Sequence, residues 1–233
     1  MLTKTKISQI LNNYSINISE EKLNKLVKYY ELIETKNKVM NLTGFKEEEL
    51  VIQGLVESIL CLNKSFNLTE KEKYKLVDIG AGAGFPSVPY FIVNQEKIEL
   101  TIIEPLKKRC VFLQEVSDAL NLNISIINER AENIKSIEVF DLITARAVTH
   151  LKNLIEITCQ LGKINSQQVF IKGDNADKEI KESQKIINVL NVKVKSTKFN
   201  TQGIRNNTLV SIIKNKSAPK LYPRAWSKII SDK

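Results

Sequence analysis

A single histidine, His150, in a chain of 233 residues leaves little room for imidazole chemistry. No histidine-rich metal site can be assembled, and a Ser-His-Asp arrangement would depend on that one ring. Set in Thr149-His150-Leu151, it reads as a structural residue at the start of a helix. Cysteine is nearly as scarce. Cys61, Cys110 and Cys159 are odd in number, widely spaced and without a Cys-x-x-Cys pair, which excludes a disulfide framework and predicts buried, reduced thiols in a cytoplasmic protein. Long apolar runs are missing too: nothing approaches a membrane span, and the opening MLTKTKISQILNN lacks the apolar centre of a signal peptide. A soluble monomer with no metal and no membrane partner is expected. At this length about 70–75% of the unfolded surface can be buried, enough for one α/β domain with an extension.

Glycine is thin as well, eight residues in all, yet three stand together in the run LVDIGAGAGFP, residues 76–86. The apolar start, Leu76 to Ile79, is short enough for a buried strand and breaks into Gly80, Gly82 and Gly84. That pattern predicts strand, tight turn and helix, with backbone open to a bound molecule. The dinucleotide fingerprint Gly-x-Gly-x-x-Gly fails here. Counted from Gly80 it needs glycine where Phe85 stands, and counted from Gly82 it fails at Ser87. What remains is Asp-x-Gly-x-Gly-x-Gly, with Asp78 two residues before the first glycine, a spelling that resembles the first motif of Rossmann-like methyltransferases using S-adenosylmethionine. That cofactor carries an ammonium, a sulfonium and a ribose diol, and acids suit all of them. A second acid, Glu104, ends the β-branched run Ile98 to Ile103, about 20 residues past the last glycine, where a β-α-β unit brings the next strand alongside. Charge-assisted hydrogen bonds to a diol contribute roughly 1.5–3 kcal/mol each.

The net charge of +9 is concentrated. From Lys193 onward ten basic residues, among them Arg205, Lys214, Lys216, Lys220, Arg224 and Lys233, face only Asp232, while the preceding 192 residues balance. An anionic partner, nucleic acid foremost, is expected to meet this part first.

Read in order, the chain opens with helical spacing at Ile7, Ile10, Leu11 and Tyr14. Ser19 then caps a second helix carrying Leu23, Leu26, Val27, Tyr30 and Ile33, and a third helix runs from about Glu47 to Leu62. Residues 1–66 are therefore taken as an N-terminal helical extension, a lid or brace, and 67–75 as the connector into the first strand. A helix starts near Pro86, and Lys107-Lys108-Arg109 opens another. Further strands are expected at Ile124–Ile127, Phe140–Thr144 and Val169–Ile171, then one helix through Ile180, Ile186, Ile187 and Leu190. Val192–Phe199 and Leu209–Ile213 follow without a helix between them and should pair antiparallel. The expectation is an α/β, Rossmann-like class I methyltransferase fold. Its sheet is seven-stranded and mostly parallel with the last strand antiparallel, spanning residues 67–216 as the cofactor-binding domain, with 217–233 as a basic C-terminal tail.

The chemistry narrows by exclusion. Methylation of an exocyclic amine usually needs Asn or Asp before Pro-Pro-aromatic after the fourth strand, where this chain has Thr144-Ala145-Arg146-Ala147. Pyrimidine carbon methylation needs an activated cysteine, and none of the three has that setting. Transfer to an atom with a ready lone pair, driven by alignment alone, is what is left.

These residues, together with Asn37-Lys38, Asn41-Leu42-Thr43, Val88-Pro89, Lys107-Lys108-Arg109, Phe112-Leu113, Arg130-Ala131-Glu132, Ala145-Arg146-Ala147, Lys172-Gly173 and Tyr222-Pro223-Arg224, resemble the RsmG (GidB) family of bacterial 16S ribosomal RNA guanine-N(7) methyltransferases. The resemblance runs from about residue 30 to 224. It implies methylation of guanine 527 in the 530 loop, with the small ribosomal subunit or its 16S rRNA as partner. Carried over by position, it adds Gly80, Phe85, Ala131, Glu132 and Arg146 to a cofactor site already holding Asp78, Gly82, Gly84 and Glu104. It implies RNA contacts from Arg109, Arg146, Lys172 and Arg224, and identifies no catalytic base. The chain departs from the family at Gln53-Gly54, Glu57, Ser87, Asn207-Thr208 and Ala225-Trp226-Ser227-Lys228, and Lys214, Lys216 and Lys220 are expected to supply RNA affinity in compensation. The alternatives are a cofactor-binding protein without turnover, or a methyltransferase acting on another substrate.

Overall fold

Two hydroxyls decide where the chain begins to coil. In the computed structural model, which describes residues 1–135, 137–201 and 206–232, Thr3 Oγ1 accepts the Lys6 N–H at 3.3 Å and Ser19 Oγ the Lys22 N–H at 3.4 Å. They cap helices α1 (Lys4–Asn13) and α2 (Glu20–Asn37). Helix α2 buries Leu23, Leu26, Tyr29, Tyr30 and Ile33. Val27, expected inward, is only half-buried, and Tyr29, at the same helical spacing, takes its place. The expected third helix is present but irregular: α3 (Glu47–Glu49) passes through a π-helical stretch, Leu50–Val56, into α4 (Glu57–Ser65). Gly54 lies in that stretch, and a Cβ there would come within 2.7 Å of Phe85 Cζ.

Strands and helices then alternate as β1 (Tyr74–Ile79), α5 (Ser87–Asn94), β2 (Ile98–Ile103), α6 (Lys107–Ala119), β3 (Ile124–Ile127), β4 (Phe140–Arg146), α7 (Leu151–Thr158) and β5 (Gly162–Lys172). The helix expected after β5 is broken at Ser183 into α8 (Ala176–Glu182) and α9 (Gln184–Leu190), with the Ser183 hydroxyl donating back to the Glu179 carbonyl at 2.6 Å. β6 (Lys193–Asn200) and β7 (Asn206–Ile213) follow as an antiparallel pair. The seven strands form one sheet in the order β3-β2-β1-β4-β5-β7-β6. β7 runs antiparallel to both neighbours and the other pairings are parallel, as the sequence predicts.

The strand order reverses between β1 and β4, which opens a crevice at the carboxyl edge beside them. Alternation along the strands sends Leu76, Leu100 and Leu142 to one face, where they share a hydrophobic cluster with Ile7, Leu26 and Ile33 of α1 and α2. Val77, Ile143 and Phe170 go to the other face, packed with Leu151 and Leu154 of α7 and with Ile229. The N-terminal helices thus brace the sheet. Among the described residues no helix is long and apolar enough to cross a membrane.

The C-terminal residues do not extend into solvent. Arg224 forks onto the buried Glu156 carboxylate of α7, Nε to Oε1 at 2.8 Å and Nη2 to Oε2 at 2.7 Å, and its Nη1 meets Asp232 at 2.8 Å. The short helix α10 (Trp226–Ser231) then buries Ile229. Lys214 overturns an expectation. It is 2% exposed, donating to Gly162 O at 2.8 Å and Glu138 Oε1 at 3.1 Å, so it ties the approach to β4 and the start of β5 to the end of β7 and has no surface to offer RNA. Arg205 and Lys233, counted in the basic surplus, lie outside the described residues.

Replacing Lys214 with Gln should lower folding stability by about 1.5–3 kcal/mol, the range for hydrogen bonds to a charged group. It should leave the salt dependence of RNA binding unchanged. Denaturant midpoints and a salt titration of binding check both halves, and a flatter salt slope would return Lys214 to the interface.

Candidate functional site

The glycine loop is closed from outside the sheet. Tyr29 of α2, fully buried, donates its hydroxyl to the Ala83 carbonyl at 2.6 Å. Gly84, at φ +107°, has no room for a side chain: a Cβ would fall 2.5 Å from the Tyr29 oxygen and 2.8 Å from Val88 Cγ2. Gly82, at φ +61°, shows the opposite, since a Cβ there would meet only the tip of Arg109, at 3.9 Å. Its backbone is bare toward the crevice. One glycine is a packing requirement and the other an opening.

Two clefts flank the loop and share Gly80, Arg109 and Ala147 as wall. The first, about 230 Å³, runs past Glu104, Leu106, Ala131 and Glu132 to Trp226. The second, about 300 Å³, lies under Phe45 and is lined by Phe85, Arg146, Lys172 and Asn207. Ala147 holds φ +55°, left-handed for a residue with a Cβ. That bend ends β4 and lets one residue face both clefts.

Glu104 accepts the Gly82 N–H on Oε2 at 3.1 Å and the Leu106 N–H on Oε1 at 3.0 Å. Each oxygen keeps a second lone pair, so the carboxylate is held rigid while still able to accept from a vicinal diol in the first cleft. Ala131 opens a 3₁₀ turn, Ala131–Asn133, directly after β3, and Glu132 is fixed by the Arg130 Nε. Glu104, Ala131 and Glu132 thus stand along one wall of the first cleft, with Trp226 on its rim.

Asp78 is placed differently from its expected role. It is fully buried, lines neither cleft, and accepts the Ser87 N–H at 3.2 Å, which pins the start of α5 beneath the loop. Burial holds its carboxyl well above the usual range, and hydrogen bonding from Ser87 opposes the rise without cancelling it.

The expected RNA-binding cations divide. Arg109, Arg146 and Lys172 reach the second cleft, each beside a carboxylate. Arg109 stands 3.8 Å from Glu104 and Lys172 2.7 Å from Glu179. Arg146, 8% exposed in its side chain, donates to Gln53 O at 2.7 Å, lies 3.6 Å from Glu57, and places its guanidinium 5.4 Å from the Phe45 ring centre. The carbonyl it uses belongs to the π-helical stretch, where the widened turn displaces backbone acceptors from the α-helical pattern. Arg224 is not with them; it sits behind α7 on Glu156. Beside it a hollow of about 490 Å³ is bordered by polar groups matched among themselves, His150 hydrogen-bonded with Glu182 at 2.8 Å and Lys185 paired with Asp232. The histidine caps α7, as its sequence setting suggests.

Sequence reasoning missed Tyr29, Phe45, Asn207 and Trp226. Asn37 could have pointed to Phe45, since its side chain holds the Leu42 and Thr43 N–H groups and the Thr43 carbonyl, shaping the loop that carries that ring. Asn207, 2% exposed, lines the second cleft and has an Nδ2 with no hydrogen-bond partner among the described residues. In sequence it stands out only as a departure from the resembled family, with no role attached.

Comparison with known proteins fits this geometry. Residues 22–208 match the family described as rRNA small subunit methyltransferase G. The chain belongs to this family. A relative of that name from Mycoplasmopsis pulmonis is 41% identical over 228 residues, covering 96% of each chain. Another, from Ligilactobacillus salivarius, is 34% identical over 232 residues, covering 96% of this chain and 95% of its own. Among solved structures, a SAM-dependent methyltransferase from Aquifex aeolicus superposes with a TM-score of 0.55 at 19% identity, covering 72% of this chain and 94% of its own. M. jannaschii TYW2 in complex with AdoMet gives 0.52 at 16% identity, covering 69% and 75%. At such identities the likeness is one of fold, and it is the class I methyltransferase fold that family membership predicts. Among the described residues no cluster of His, Cys, Asp and Glu could hold a metal ion.

An acid whose pKa is raised by folding contributes stability below its unfolded value, about pH 4, and loses it as pH rises through the folded value. The neutral isostere Asp78→Asn should therefore gain more in melting temperature over the parent at pH 8 than at pH 5. An equal shift at both pH values would mean that Asp78 is not held protonated by burial.

Proposed function

We propose that this chain binds S-adenosylmethionine across the first cleft and methylates N7 of guanine 527 in the 530 loop of 16S rRNA. The observation that carries the reading is the pair of clefts meeting at Gly80, Arg109 and Ala147. A nucleoside held on Glu104 would direct its reactive end along the bare Gly82 backbone toward whatever occupies the second cleft. When bound, the cofactor supplies a methyl on a sulfonium, which a lone pair on N7 takes by in-line displacement while the positive charge passes from sulfur to the purine and no proton is released.

The second cleft is furnished for an acceptor of that kind. Among its described lining residues there is no histidine or cysteine, and the Glu179 carboxylate is committed to Lys172 and the Leu151 N–H, each at 2.7 Å. All three cysteines are buried, with Cys159 pushed up to about 12 by burial, so a thiolate nucleophile is not at hand. Asn207 offers a donor that guanine O6, next to N7, could accept, and Phe45 and Phe85, packed on each other with ring centres 6.5 Å apart and planes tilted by 47°, offer aromatic surface. The three cations being matched by carboxylates, attraction of RNA falls to exposed lysines. Lys107 and Lys108 stand at the first turn of α6 with no acid among them, where the helix dipole disfavours cations and a phosphate would be welcome.

Small subunits lacking the modification, incubated with methyl-labelled cofactor, should take label at one guanine of the 530 loop, mapped by reduction and strand cleavage. Label elsewhere would remove the target while keeping the enzyme class. Glu104→Ala should weaken S-adenosylhomocysteine binding about 10-fold or more, as loss of charged hydrogen bonds to a diol requires. Calorimetry with unchanged affinity would displace the cofactor from the first cleft.

A further inference from the structure

The only tryptophan of the chain, Trp226, stands in the C-terminal tail, two residues after Arg224. It is half-buried and lines the first cleft opposite Ala131 and Glu132. Its ring is flanked by the Arg130 guanidinium, 4.4 Å from the ring centre, and Arg130 is in turn held by Glu132. Two anchors keep it there. Arg224, two residues earlier, is forked onto Glu156, and Ile229, three residues later, is 2% exposed in the cluster under α7. The tail is therefore fastened on both sides of the indole, and the ring is a built part of the cleft wall.

We propose that Trp226 forms the outer wall of the nucleoside-binding cleft and contacts the adenine of the bound cofactor, so that the C-terminal segment completes the cofactor site. This rests on the assignment of the first cleft to S-adenosylmethionine. A purine entering past Ala131 meets a flat apolar ring already oriented by a cation on one side, and aromatic pairs of this kind add affinity beyond the area they bury. The tail then belongs to cofactor binding, which explains why its arginine is spent on Glu156 and is absent from the RNA face. It also links cofactor affinity to the docking of residues 222–232, since a tail lifted from α7 would leave the cleft open along that wall.

Because the tryptophan is unique, the full-length protein reports on itself. Titration with S-adenosylhomocysteine should change Trp226 emission saturably, with the midpoint found by calorimetry. Adenosine should reproduce the change and homocysteine should not. Trp226→Ala should weaken S-adenosylhomocysteine binding about 3- to 10-fold, the range for loss of one aromatic pair, and Trp226→Phe should restore most of it. If Trp226→Ala does not fold, the emission of the parent protein decides alone. Calorimetric binding with flat emission would overturn the tryptophan wall and leave the cofactor assignment standing. A folded parent protein that does not bind S-adenosylhomocysteine at all would overturn both.

Discussion

The hydroxyl of Tyr29 on the Ala83 carbonyl, over a glycine with no Cβ, is the contact on which the functional region depends. It ties a helix from the first forty residues to the loop that follows the central strand, and it is fully buried, where a hydrogen bond left unmade would be costly. With the loop closed from above by α2 and from beneath by Asp78 on the Ser87 N–H, the side it turns to the crevice is Gly82, bare of side chain and held by its N–H on Glu104. The N-terminal helices earn the description of brace in this literal sense.

The opposite rim is built on the same plan, with charge in place of hydroxyl. Arg146 leaves β4 and is caught by the Gln53 carbonyl and Glu57, so the N-terminal helices hold both the glycine loop and the residue facing it across the second cleft. Arg146 takes the main-chain carbonyl of residue 53, and Gly54 makes the space that Phe85 occupies. Phe85, which rules out a pyrophosphate loop by its position in sequence, packs in the structure against Tyr29 and Phe45 with centres 6.0 and 6.5 Å away. It is a hinge point of the site's packing.

Read by charge alone, the C-terminal part looked like an RNA-facing extension. Two of its cations turn inward. Lys214 and Arg224 each find a buried or half-buried carboxylate and a place in the core layer around α7, because a long side chain that buries its stem gains packing while its head is matched. What the tail brings to the functional region is an indole against Arg130.

Periodicity and glycine spacing determined the strands, their order of appearance and the loop after β1, since these follow from short-range sterics and the alternation of apolar residues along a strand. The pairing of Glu104 with that loop was legible for the same reason: a β-α-β unit returns its second strand at a set distance. Which side chains meet across the crevice was decided only by tertiary structure. Tyr29, Asn207 and Trp226 come from three distant parts of the chain, and whether Asp78, Lys214 and Arg224 face solvent or interior depends on neighbours far away in sequence. Burial and charge pairing are properties of the assembled layers, and no local pattern carries them.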